Sequence, residues 1–188
     1  MPPPPSPIGF DASVLINFCA VRRLELLVRA VPPPRYVLVD VLEELEEPAC
    51  RRQVDAAVRR DELLPAALTP AELKWWSRYT LRLDPGESAT LAAAMSRGWS
   101  VAVDERAARR TARQDLGPER LTGTVGVLRA AVAAGWASPE EGNELLGRMI
   151  VSGYRSPVGA LGGSQRPSGP GPVSSPPLPI PELAHRDP

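Results

Sequence analysis

The chain has 188 residues, 43% of them apolar and 23% charged, and its 22 basic and 22 acidic side chains leave no formal net charge. That is enough chain for one domain with a substantial core, at an ordinary soluble composition. Two scarcities exclude more than these averages do. The single histidine, His185, lies near the C-terminus in a stretch whose dense Pro, Gly and Ser predict a disordered tail. Ser–His–Asp and Cys–His nucleophile systems therefore lack their base, and a zinc site of the His or Cys type lacks ligands. The single lysine, Lys74, is not in a Gly-rich turn, so no phosphate-cradling P-loop exists. Chemistry in this chain must rest on Asp, Glu, Arg, Ser or Thr.

The 23 prolines cluster at the two ends, in "MPPPPSP" and in the closing stretch that starts at "SPVGALGG". These predict a proline-rich N-terminal stretch over 1–6, a folded domain over 7–155 and a disordered tail over 156–188. No segment is apolar for long enough to span a bilayer, and no basic region followed by an apolar core marks a secretion signal. Cys19 and Cys50 have no metal-type spacing, which fits two reduced, packed thiols in a cytoplasm.

In chain order, "IGFDASVLINFCAV" reads as a short strand ending at Asp11, then a helix with Asp11 or Ser13 near its start. "RYVLVD" (35–40) is a strand-length apolar run closed by a capping Asp40, and "VLEELEE" (41–47) continues as a helix stopped near Pro48. "CRRQVDAAVRR" is an amphipathic helix. "TPAELKWWSRY" (69–79) starts with Thr69 as N-cap, Pro70 and then Glu72, a capping box. "DPGESATLAAAMSRG" repeats that pattern with Asp84, Pro85 and Glu87, and Gly98 closes the helix. "WSVAVD" (99–104) is a second buried-type strand ending in an acid. "ERAARRTARQD" is helical, "LTGTVG" a short strand or turn, and "VLRAAVAAG" and "SPEEGNELLGRMIVSG" two more helices.

Continuously apolar strands that alternate with helices predict an α/β fold, a mostly parallel sheet covered on both faces. Ligands in such sheets bind beyond the carboxyl ends of the strands. Asp11 and Asp104 end two of the strands, and Glu44 and Glu87 lie one turn into helices. Carboxylates gathered at one edge raise each other's pKa unless a cation joins them, and a hard divalent ion, Mg²⁺ or Mn²⁺, is the usual partner. Such an ion acidifies water and stabilises charge on a phosphate, so hydrolysis without histidine remains open.

The segments "FDASVLINF", "VDVLEELEE", "DPGESATLAAA", "VAVDERAARR" and "TGTVGVL" resemble the acidic motifs of PIN-domain ribonucleases, above all the VapC-like branch of toxins. The resemblance runs from residue 8 to about 155. It implies a three-layer α/β/α fold and an Mg²⁺- or Mn²⁺-dependent endoribonuclease. The implied catalytic acids are Asp11, Glu44, Glu87 and Asp104, with Asp11, Glu87 and Asp104 as metal ligands. It also implies a homodimer and a cognate antitoxin protein. Glu43 adjoins Glu44, so either residue fits the second motif. Three of the acids also have a plainer role, a cap for Asp11 and Glu87 and a solvated acidic run for Glu44, whereas Asp104, closing the apolar run "SVAV", has no obvious structural need to be there.

Arg106, Arg110 and Arg113, with Arg109, follow Asp104 at helical spacing and suit a stripe that tracks RNA phosphates, or a solvated face paired with acids. Thr122 and Thr124 suit either a hydroxyl near a metal or a turn and cap. Trp75 and Trp76 suit either base stacking or a core anchor. A fold that has lost its activity and serves as a protein- or RNA-binding module is the alternative function.

Overall fold

The computed structural model describes residues 6–162. The proline-rich opening up to residue 5, and the part of the expected tail from residue 163 onward, lie outside the described residues.

Five short strands form one sheet: β1 (Ile8–Phe10), β2 (Arg35–Leu38), β3 (Leu64–Ala66), β4 (Ser100–Ala102) and β5 (Leu121–Thr122). Their order is β3-β2-β1-β4-β5, and every pairing is parallel. The chain winds outward from β1 first through β2 and β3, then through β4 and β5. The direction of winding therefore reverses between β1 and β4, the place where open parallel sheets leave a crevice. One face carries α1 (Ala12–Ala20), α2 (Leu24–Ala30), α4 (Pro48–Arg59), α8 (Thr124–Ala133) and α9 (Pro139–Val151). The other carries α3 (Val39–Glu43), α5 (Leu73–Tyr79), α6 (Pro85–Arg97) and α7 (Arg106–Asp115). The result is the α/β/α three-layer architecture.

The alanine-rich sequence of α6 follows from its place. Ala89 and Leu91 to Ala94 are all fully buried, because this helix lies on the middle of the sheet. A Cβ on Gly9 of β1 would come 3.3 Å from Thr90 Cγ2, so helix and strand are already in tight contact. Phe10, Leu15, Phe18, Leu38, Leu91 and Met149 fill the core on both sides.

The structure departs from the sequence expectations in a few places. Asp40 is not a cap: β2 ends at Leu38, and both Val39 and Asp40 already belong to α3. The helix expected from Thr69 starts at Leu73, because Pro70 to Glu72 form a turn. The α2 helix and the β3 strand have no counterpart in the pattern reading. β3 carries Pro65 at its centre and lies at an edge, where a missing N–H is tolerated. Packing continues past residue 155: Leu161 is buried, its N–H donates to Asn143 Oδ1 (2.8 Å) and its carbonyl accepts from Arg129 Nε (3.0 Å). Among the described residues no helix is long and apolar enough to cross a membrane.

Candidate active site

Asp11 follows β1 directly and caps α1, its Oδ2 accepting from the Ser13 amide (3.1 Å) and hydroxyl (2.5 Å). Its own N–H donates to the Ala102 carbonyl (3.0 Å), which ties the end of β1 to β4. The residue is 2% exposed, and its Oδ1 is buried without a hydrogen-bond partner. Burial pushes the Asp11 carboxyl upward, and the charge of Asp104 adds to the shift.

Glu87 lies in the first turn of α6, 6% exposed, with Oε2 accepting the Asp84 amide (3.2 Å). Its other oxygen, Oε1, is buried and unpartnered. Its pKa is pushed up to about 7, first by desolvation and then by the negative charge of Asp11. Glu44 ends α3 and enters the same neighbourhood through Gly86, whose N–H donates to Glu44 Oε1 (2.6 Å). A Cβ at Gly86 would lie 2.5 Å from Glu44 Oε2, so only glycine lets the carboxylate approach. Burial raises the Glu44 pKa, and Asp11 is among the charges that contribute. The adjacent Glu43 is exposed to solvent, so Glu44 is the acid turned toward the others.

Asp104, two residues beyond β4, differs from these three. Its Oδ1 accepts from the Thr124 amide (3.0 Å) and the Tyr154 hydroxyl (3.2 Å). Its Oδ2 accepts from Asn17 Nδ2 (3.0 Å) and the Thr124 hydroxyl (2.5 Å). A Cβ at Gly123 would lie 2.6 Å from Asp104 Oδ1, so this glycine too is needed for the close approach. Both oxygens of Asp104 are thus held by donors, whereas Asp11 and Glu87 each keep one free.

The fold therefore brings Asp11, Glu44, Glu87 and Asp104 to one edge, with Asp11 electrostatically coupled to the other three. Among the described residues, however, no three acidic, histidine or cysteine side chains converge closely enough to hold an ion as placed. Of the hydroxyls, Thr124 reaches the site through Asp104; the Thr122 carbonyl instead accepts from Arg109 Nη1 (2.8 Å). Arg109 also donates to the Val103 carbonyl (2.7 Å), so it ties α7 to the sheet. Arg106, Arg110 and Arg113 are exposed and form no ion pair among the described residues, so they lie on a solvated face without acidic partners. Trp75 and Trp76 pack half-buried against the core. Asn17 and Tyr154 were not foreseen. Asn17 leaves a faint signal, the one polar residue after Ser13 in an apolar helix, and Tyr154 leaves none.

A protein-family model described as a PIN domain matches residues 8–161, most of the chain and nearly all of its described part. The chain belongs to the PIN-domain family. No curated protein and no solved structure matches it. PIN domains are generally nucleases and typically bind divalent metal, so the acidic edge of this PIN domain is the place to test for one. The donor chemistry fits: every candidate ligand is a hard oxygen, and two buried carboxylate oxygens lack partners. Mg²⁺ commonly keeps several waters and takes only one or two carboxylates, so the two open carboxylate oxygens, on Asp11 and Glu87, meet that requirement.

Proposed function

We propose that this PIN domain is an Mg²⁺- or Mn²⁺-dependent endoribonuclease in which Asp11 and Glu87 hold the ion. The observation that carries this reading is the pair of buried, unpartnered oxygens, Asp11 Oδ1 and Glu87 Oε1, on neighbouring carboxylates. Burial of that kind opposes ionisation, and a cation reverses the balance. When bound, the metal supplies acidified water and neutralises charge on the phosphate. Asp104 is kept in one orientation by Asn17, Thr124 and Tyr154, and so completes the pocket as a fixed acceptor for water or a third ligand. Glu44, tethered through Oε1 alone and shifted upward by burial, is suited to accept the proton of the attacking water on Oε2.

Purified protein incubated with Mn²⁺ and labelled single-stranded RNA should cut it, and chelation should stop the reaction. Asp11→Asn and Glu87→Gln should each slow cleavage by roughly 100-fold or more. Intact RNA with the wild type, or equal cleavage by Asp104→Asn, removes the enzyme reading.

The finer assignment, a VapC-like toxin acting in the cytoplasm as a homodimer and silenced by an antitoxin, is supported by the order of the acidic motifs alone. Induced expression should then arrest growth, and expression of Asp11→Asn should not. The lack of three convergent donors favours a second reading, an inactive PIN fold that binds RNA or protein. RNA retention without cleavage in the same assay identifies it.

A further inference from the structure

We infer that the cleft between α7 and the segment linking α5 to α6 is the track of the RNA strand leaving the acidic centre, with Arg82 and Arg110 gripping its backbone. The inference rests on the ribonuclease reading and adds to it where the substrate lies.

The cleft, about 470 Å³, has Ala107, Arg110, Thr111 and Gln114 along one wall and Arg82 and Leu83 along the other. The four α7 residues are spaced as one helix face. Both walls begin at the acids. Leu83 precedes Asp84, whose amide Glu87 holds, and Ala107 stands three residues beyond Asp104. The charge of Glu105, at the start of α7, is felt by Glu87, so the two helix starts are neighbours.

The lining chemistry selects a phosphodiester backbone. Arg82 and Arg110 are exposed and have no ion-pair partner among the described residues. Gln114 adds a neutral donor for phosphate and ribose oxygens, while the Thr111 hydroxyl, which donates to the Ala107 carbonyl (3.1 Å), is left as an acceptor for a ribose hydroxyl. Tyr79, the aromatic ring of the adjoining cleft, is buried and its hydroxyl donates to Asp115 (3.0 Å), so no open stacking platform is present there. Contacts of this kind set affinity and register rather than base preference. From Ala107 to Gln114 the helix rises about 10 Å, room for roughly two or three nucleotides. Arg106 and Arg113, which the sequence pattern groups with Arg110, do not line the cleft.

The test compares the Arg82→Ala/Arg110→Ala double variant with an Arg106→Ala/Arg113→Ala control. All four side chains are exposed, so thermal melts should match the wild type. In chelator, anisotropy of a short fluorescein-labelled single-stranded RNA should show Kd for the cleft variant raised roughly tenfold or more. Its plot of log affinity against log salt should be shallower by about 1.4, since each single-strand phosphate contact contributes about 0.7. The control should stay within about twofold of wild type. Hydrolysis of bis(p-nitrophenyl) phosphate by the wild type with Mn²⁺ reports on the acidic centre separately from RNA binding. A wild type that cannot hydrolyse the diester or RNA defeats the enzyme reading, while the binding comparison still decides the cleft. Unchanged Kd and slope in the cleft variant, an equal loss in the control, or a wild type that binds no RNA overturns the inference.

Discussion

Glu72 and Glu87 begin from the same local design and end with opposite electrostatics. Each lies three residues after the residue that opens its turn and accepts that residue's amide, from Thr69 at 2.7 Å and from the helix cap Asp84 at 3.2 Å. Each is nearly inaccessible, 2% and 6% exposed. Glu72 meets the Arg97 guanidinium through two short bonds, of 2.6 and 2.7 Å, and its pKa is held below the ordinary value, chiefly by that pairing. Glu87 meets no cation, keeps one oxygen without a partner, and has Asp11 as a charged neighbour. The first glutamate fastens the start of α5 to the end of α6. The second is a buried acid that stability does not explain, and such groups concentrate at functional sites.

The largest effect should come from unbalancing the paired glutamate. Arg97→Gln leaves Glu72 buried without its cation and should cost about 3–5 kcal/mol, lowering the melting temperature by on the order of 10 °C. A loss of only a degree or two would end the contrast drawn here.

Glu87 should behave in the opposite sense. Folded Glu87 keeps its proton to about pH 7, whereas the unfolded side chain releases it near 4.5. Between those values the folded state binds more protons, so stability is greatest on the acid side and falls as pH rises through the window. The linkage is on the order of 3 kcal/mol for metal-free protein. Glu87→Gln should flatten the dependence in melts recorded from pH 5 to pH 8, and it should be neutral or stabilising at the upper end. Mn²⁺ should stabilise the wild type most at high pH; a metal-independent melt there would count against Glu87 as a ligand.

Tyr154→Phe removes one of the donors on Asp104. Stability should change by about 1 kcal/mol or less and RNA cleavage should slow by roughly three- to tenfold. The smallest difference separates two adjacent glutamates: Glu44→Gln should depress cleavage while Glu43→Gln, on the solvent side, should leave rates unchanged. Equal rates for both variants would exclude Glu44 from the chemistry.

The contrast between Glu72 and Glu87 could not be read from the sequence, because both occupy the same position of a capping-box pattern. What separates them is Arg97, 25 residues beyond Glu72, which only the folded chain brings near. The same holds for Asn17 and Tyr154, which reach Asp104 across 87 and 50 residues. Strands β1, β2 and β4 were legible because a strand buried on both faces must be continuously apolar. The gathering of acids at one edge followed from their positions just after those strands or at helix ends nearby. β3 escaped because Leu64-Pro65-Ala66 carries a proline, and α2 because Arg23, at its cap position, offers no capping side chain. Gly86 reads as part of a helix start, yet its more telling property, an empty side chain that admits Glu44, depends on a residue from another helix.

The two borders of the sheet have a consequence for self-association. One outer strand has an imino acid at its centre, and the opposite one is only two residues long. Neither offers the long row of open amides and carbonyls that recruits a further strand from another molecule. Among the described residues, both borders of the sheet are therefore poor templates for a strand from another copy.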